Sequence, residues 1–177
     1  LYQFARNEDF KDQVAKLGGI GSLIRIMLKF IDMRPIVERC LSALANLAYN
    51  SDANVSEIVR EGGIPATLKV MQRWKDDSGI LYGALTLLNN LMYGSDAVKE
   101  KVGEMCGAEV VNVTTRFHKD SKTFIAASRC MGSMSYVDKN IRSLVDAHAV
   151  KQLVVGMDAH VGNVEAQQVA IDVVGNF

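Results

Sequence analysis

Three histidines and three cysteines are the side chains of this sequence best suited to metal binding or nucleophilic attack, and their spacing argues against both roles. His118, His148 and His160 each stand alone, without the closely spaced Cys, His or carboxylate partners that a zinc site needs. They read as loop or corner residues. Cys40, Cys106 and Cys130 are odd in number and far apart, the pattern of reduced core thiols and not of a disulfide or metal framework. No nucleophile has a neighbouring base, and no glycine-rich loop follows a strand to cradle phosphate. Gly62-Gly63-Ile64 reads as a helix corner and Gly94-Ser95-Asp96 as a helix stop. No catalytic residue, metal or cofactor is assigned, and the chain is not expected to be an enzyme.

Charge narrows the partners. Lysine plus arginine total 20 and aspartate plus glutamate total 20 in 177 residues, with no clustered basic run. Nucleic acid and anionic membranes both require concentrated Lys and Arg, so neither is expected, nor is a small-molecule substrate. No run of about 20 apolar residues is present to insert in a bilayer. Reduced thiols point to the cytoplasm, with a nuclear or ciliary location left open.

The elements that would position any site follow from composition and period. Only Pro35 and Pro65 interrupt a sequence rich in helix formers, so an all-α fold is expected. Val14-Ala-Lys-Leu-Gly-Gly-Ile20 returns as Ile58-Val-Arg-Glu-Gly-Gly-Ile64, then more loosely as Val102-Gly-Glu-Met-Cys-Gly-Ala108 and Leu144-Val-Asp-Ala-His-Ala-Val150, in steps of 44, 44 and 42. A second marker recurs independently: Leu44-Ala-Asn-Leu47, Leu88-Asn-Asn-Leu91, Met131-Gly-Ser-Met134 and Val174-Gly-Asn-Phe177, in steps of 44, 43 and 43. Two markers with one period define a repeat.

Within a unit, Asn50-Ser-Asp offers acceptors to a short helix from about Ala53 to Glu61, which Gly62-Gly63 ends. Pro65 suits the start of a second helix, carrying Leu68, Met71 and Trp74 at helical spacing. Trp74 reads as a packing or convex-surface residue. A third helix from about Ile80 to Tyr93 aligns Leu81, Leu85 and Leu88 on one stripe. The predicted units are 8–50, 51–94, 95–137 and 138–177, with 1–7 as the end of a preceding repeat, in what is expected to be part of a longer solenoid. Cys106 and His148 replace the first glycine of their corners.

This period, the Gly-Gly-Ile corner and the Leu-x-Asn-Leu helix resemble the armadillo repeat over essentially the whole chain. The resemblance implies a right-handed α-solenoid of three-helix repeats whose third helices line a concave groove. It further implies a protein-binding scaffold or adaptor, in which the Asn of Leu-x-Asn-Leu bonds the main chain of an extended peptide. By position that ladder is Asn46, Asn90, Ser133 and Asn176, with Ser133 too short to span an N–H and C=O pair as a carboxamide does. One turn away stand Ser42, Thr86, Arg129 and Asp172 before the ladder and Asn50 after its first member. Importin-type members carry tryptophan at the earlier position, and none is present here. The expected guest is an acidic or polar segment, with Arg129 as a carboxylate contact. Two alternatives remain open: a structural part of a cytoskeletal or ciliary assembly acting through convex surfaces and loops, or a regulatory region of a larger enzyme.

Overall fold

The computed structural model describes residues 8–177, so the segment assigned above to a preceding repeat lies outside the described residues. Eleven helices follow in order among them: α1 (Glu8–Lys16), α2 (Gly19–Lys29), α3 (Arg34–Ala48), α4 (Asp52–Arg60), α5 (Gly63–Arg73), α6 (Ser78–Met92), α7 (Asp96–Phe117), α8 (Ser121–Met134), α9 (Asp138–Asp146), α10 (Ala149–Ala159) and α11 (Val164–Val174). No strand occurs among the described residues.

Polar caps decide where the helices begin. Ser51 and Ser95 accept the N–H of Asn54 and Val98 at the starts of α4 and α7. Asp77, Asp120 and Asn163 accept those of Ile80, Thr123 and Ala166 at the starts of α6, α8 and α11. Each such cap stabilises by about 1 kcal/mol. The corners depend on a single left-handed residue. Gly18 at φ 73° and Gly62 at φ 82° turn the chain between first and second helices. His148 takes the same conformation at φ 64° although it is not glycine.

At Cys106 the expected corner is absent. First and second helices merge there into the 22-residue α7. Left-handed backbone costs a side-chain-bearing residue about 1–2 kcal/mol. Exposed His148 turns despite that cost, whereas Cys106, fully buried, keeps its thiol in the core on a continuous helix. The unit that begins at Asp96 therefore has two helices where sequence spacing predicts three.

The helices stack in rows. The third helices pack successively as α3, α6, α8 and α11, and behind them lie α2, α5, α7 and α10. Fused α7 also touches α9, so it serves two rows at once. Between the rows runs one apolar core in which Leu41, Leu44, Leu81, Leu85, Leu88, Phe124 and Met131 are fully buried. Trp74 packs half-buried against it, and its Nε1 donates to the Ile31 carbonyl of the preceding unit at 2.7 Å.

Two substitutions separate packing from backbone conformation. Leu88→Ala should lower the free energy of urea unfolding by about 2–5 kcal/mol, through lost burial and a cavity. Gly62→Ala meets only Pro65 Cγ at 3.9 Å, so its cost should be the conformational one alone, about 1–2 kcal/mol. An unchanged midpoint for Gly62→Ala would contradict the role given to this corner.

Candidate binding groove

The third-helix row bounds a groove of about 1070 Å³. Its lining includes Asn90, Ser133 and Asn176 of the expected ladder together with Asn50, Thr86, Arg129 and Asp172. Asn46 and Ser42 lie on α3 but are not part of that lining; Ser42 is exposed and Asn46 half-buried.

The carboxamides do more than face the groove. Asn90 Nδ2 donates to the Ala45 carbonyl on α3 at 2.9 Å, and neighbouring Asn89, which sequence reasoning passed over, donates to the Ala126 carbonyl on α8 at 3.2 Å. Together they tie α6 to both adjacent third helices. Asn90 keeps its carbonyl oxygen and a second N–H for another partner. Asn176 Nδ2 donates to Ser135 Oγ at 2.9 Å, another bond between units. Thr86 Oγ1 bonds only its own helix, at the Tyr82 carbonyl.

Of the six charged residues lining the groove, three are in ion pairs within the chain: Arg129, Glu165 and Glu38. Arg129 Nη2 meets Glu165 Oε1 at 2.8 Å, bridging α8 and α11, so the guanidinium expected to hold a guest carboxylate already holds one. Glu38 meets Arg34 Nη1 at 2.9 Å, and Arg34 Nε in turn meets Asp77 Oδ2 at 2.7 Å; neither Arg34 nor Asp77 is part of the lining. The hydrogen bond from Arg34 holds the Asp77 carboxyl below the usual carboxylate range, and the Ile80 N–H adds to the effect against the opposing pull of burial.

Four tyrosines also line the groove: Tyr49, Tyr82, Tyr93 and Tyr136. Their signal was present in the sequence, because Tyr49, Tyr93 and Tyr136 follow the Leu-x-Asn-Leu marker at a constant offset. Two of the histidines lie at helix ends, His118 after α7 and His160 after α10, and His148 at the corner before α10. Among the described residues no group of three or more His, Cys, Asp or Glu is placed to hold a metal ion. All three cysteines are buried and unpaired; burial pushes the Cys106 thiol up to about 12 and raises those of Cys40 and Cys130.

A family profile described as the GAC ARM domain matches residues 3–172. The chain belongs to the GAC ARM domain family. No curated protein matches it. Solved structures place the fold of this GAC ARM domain among armadillo α-solenoids. A designed armadillo repeat protein in complex with the peptide (KR)4 is 16% identical with a TM-score of 0.84, over 98% of this chain and 71% of that one. An engineered protein is 21% identical with a TM-score of 0.84, over 97% of this chain and 40% of that one. A structure concerning the interaction between cadherin and β-catenin is 15% identical with a TM-score of 0.83, over 97% of this chain and 31% of that one. The GAC ARM domain thus spans less than half the length of the last two. Among its described residues no helix is long and apolar enough to cross a membrane.

Two measurements check the electrostatics. In a carboxyl NMR titration Asp77 should titrate below ordinary aspartate, and Arg34→Gln should move it upward; an unmoved midpoint would refute the pairing. Because its folded value is depressed, the stability Asp77 contributes is present above the unfolded carboxylate value and is lost as pH falls through the folded one. Separately, a thiol reagent at about pH 8 should modify none of the three cysteines until denaturant is added. Rapid labelling of the native protein would show that the thiols are not core groups.

Proposed function

We propose that this GAC ARM domain is a non-catalytic scaffold that binds an extended peptide segment of another protein along the groove formed by α3, α6, α8 and α11. The observation that supports this reading is the alignment of Thr86 and Asn90 on α6, Ser133 on α8 and Asn176 just past α11 along one groove, from three successive units. A peptide backbone alternates N–H and C=O and asks for partners that supply both. Asn90 retains one of each after bonding Ala45, and a hydroxyl at Ser133 supplies a weaker, shorter version of the same.

Scale agrees with the proposal. Third helices lie about 8–10 Å apart and an extended chain advances about 3.3 Å per residue, so each unit reads about three residues. A designed armadillo repeat protein of similar fold was solved in complex with the peptide (KR)4, which supports a peptide guest for this fold. Armadillo domains act in general as binding scaffolds, which accords with a groove whose polar groups offer hydrogen bonds and no reacting pair.

Because Asn90 also ties α6 to α3, removing it mixes folding with binding. The groove reading therefore needs two variants. Replacing Asn46 and Asn90 together by Ala should weaken a bound peptide by about tenfold, the loss of one or two hydrogen bonds. Thr86→Trp fills the groove, breaks only a bond within its own helix, and should abolish binding with the thermal midpoint held within a few degrees. Unchanged affinity, measured by fluorescence anisotropy, in both variants would place the peptide elsewhere.

A further inference from the structure

Tyr49, Tyr93 and Tyr136 stand 44 and 43 residues apart, each one or two residues past the end of a third helix. All three line the groove and remain 59, 75 and 72% exposed. A row of exposed rings at the pitch of the repeat gives the core little, while each ring presents a negative face to solvent.

Two of these rings already lie beside a cation of the chain, each ammonium also having a closer oxygen partner: the Tyr49 carbonyl for Lys11 and the Asp96 carboxylate for Lys99, both at 2.7 Å. Lys11 Nζ lies 5.7 Å from the Tyr49 ring centre, and Lys99 Nζ lies 5.2 Å from that of Tyr136. Lys11 and Lys99 occupy the same position in the first helices of their units, two periods apart. In the unit between them that position is Val55, which is buried, and among the described residues no lysine or arginine stacks on Tyr93. The most exposed ring of the row is the one without a cation of its own.

The charge around the groove has the complementary sign. Four carboxylates and two cationic side chains line it, and one of the two cations, Arg129, is held by Glu165. Beside Tyr93, a Cβ built on Gly94 would stand 3.9 Å from Asp52 Oδ1, so a carboxylate borders the residue that follows the ring. A groove with an excess of carboxylates and an open aromatic face suits an ammonium or guanidinium group and repels a carboxylate.

We infer that Tyr93 is the open cation–π seat of the tyrosine row and receives an arginine or lysine side chain from a basic extended segment of the bound protein. This rests on the groove reading above and gives it a guest opposite in sign to the acidic one that Arg129 suggested from sequence. Lys11 and Lys99 already stand beside the outer two rings, so one basic side chain of the guest meets the row, at Tyr93, and the others meet the carboxylates of the groove.

The test is a display library of random peptides of about twelve residues, the length four units accommodate, selected on the purified domain. Selected peptides should be rich in Lys and Arg. Tyr93→Leu, which keeps apolar area and loses the ring, should weaken the best of them about two- to fivefold, whereas Tyr93→Phe should bind within a factor of about two. Acidic or uncharged winners, or equal affinity for Tyr93→Leu, overturn the basic guest. If such winners are still blocked by Thr86→Trp, the groove reading stands without it. Peptides indifferent to Thr86→Trp, or no enrichment at all, overturn both.

Discussion

Among the described residues no helix covers its own apolar side, and that constraint governs everything else in the fold. Leu85 and Leu88 on α6 are fully buried because α3 and α8 lie against them, and neither neighbour would be fixed without α6 between them. Stacking also settles the polar groups. Asn90 reaches back to Ala45, Asn89 reaches forward to Ala126, Trp74 reaches back to Ile31, and Cys130 Sγ leans on the Leu85 carbonyl at 3.4 Å. Side-chain donors pointed at carbonyls of the adjacent helix set the register between units, which apolar packing alone leaves free to slide.

The groove is a by-product of that stacking. Third helices held side by side leave one face uncovered, and polar residues there use part of their hydrogen-bonding capacity on the neighbouring helix. Asn90 shows the division most plainly, with one N–H committed inside the fold and the remainder of its amide unspent. One atom of this side chain thus serves the fold while the rest of the amide lines the groove. Arg129 went the other way: its partner, Glu165, lies 36 residues on, in the next unit.

The architecture was legible in the sequence because it rests on spacing. Two markers with one period located the helices to within a few residues, and Ser51, Asp77 and Gly62 act at helix ends as their chemistry requires. The fused α7 was not legible, since Cys106 and His148 look alike as replacements for a corner glycine. They part ways through burial, a property of the assembled core. Partners of Asn89, Asn90 and Arg129 were hidden for a related reason: each lies about one period away, on a helix whose rotation no local pattern reveals. The tyrosine row was the reverse case, fully periodic in the sequence yet easily passed over as aromatic residues at helix ends.

One property of the cross-helix bonds reaches back to the ribosome. Among the described residues no side-chain hydrogen bond joins positions more than 45 apart, so every partner lies within the same or the adjoining unit. A nascent chain needs only the next unit to emerge before the previous one can close its last bonds, and order can advance from the first helix to the last as synthesis proceeds. The same locality lets a whole unit be duplicated or lost during evolution with only one new junction to accommodate.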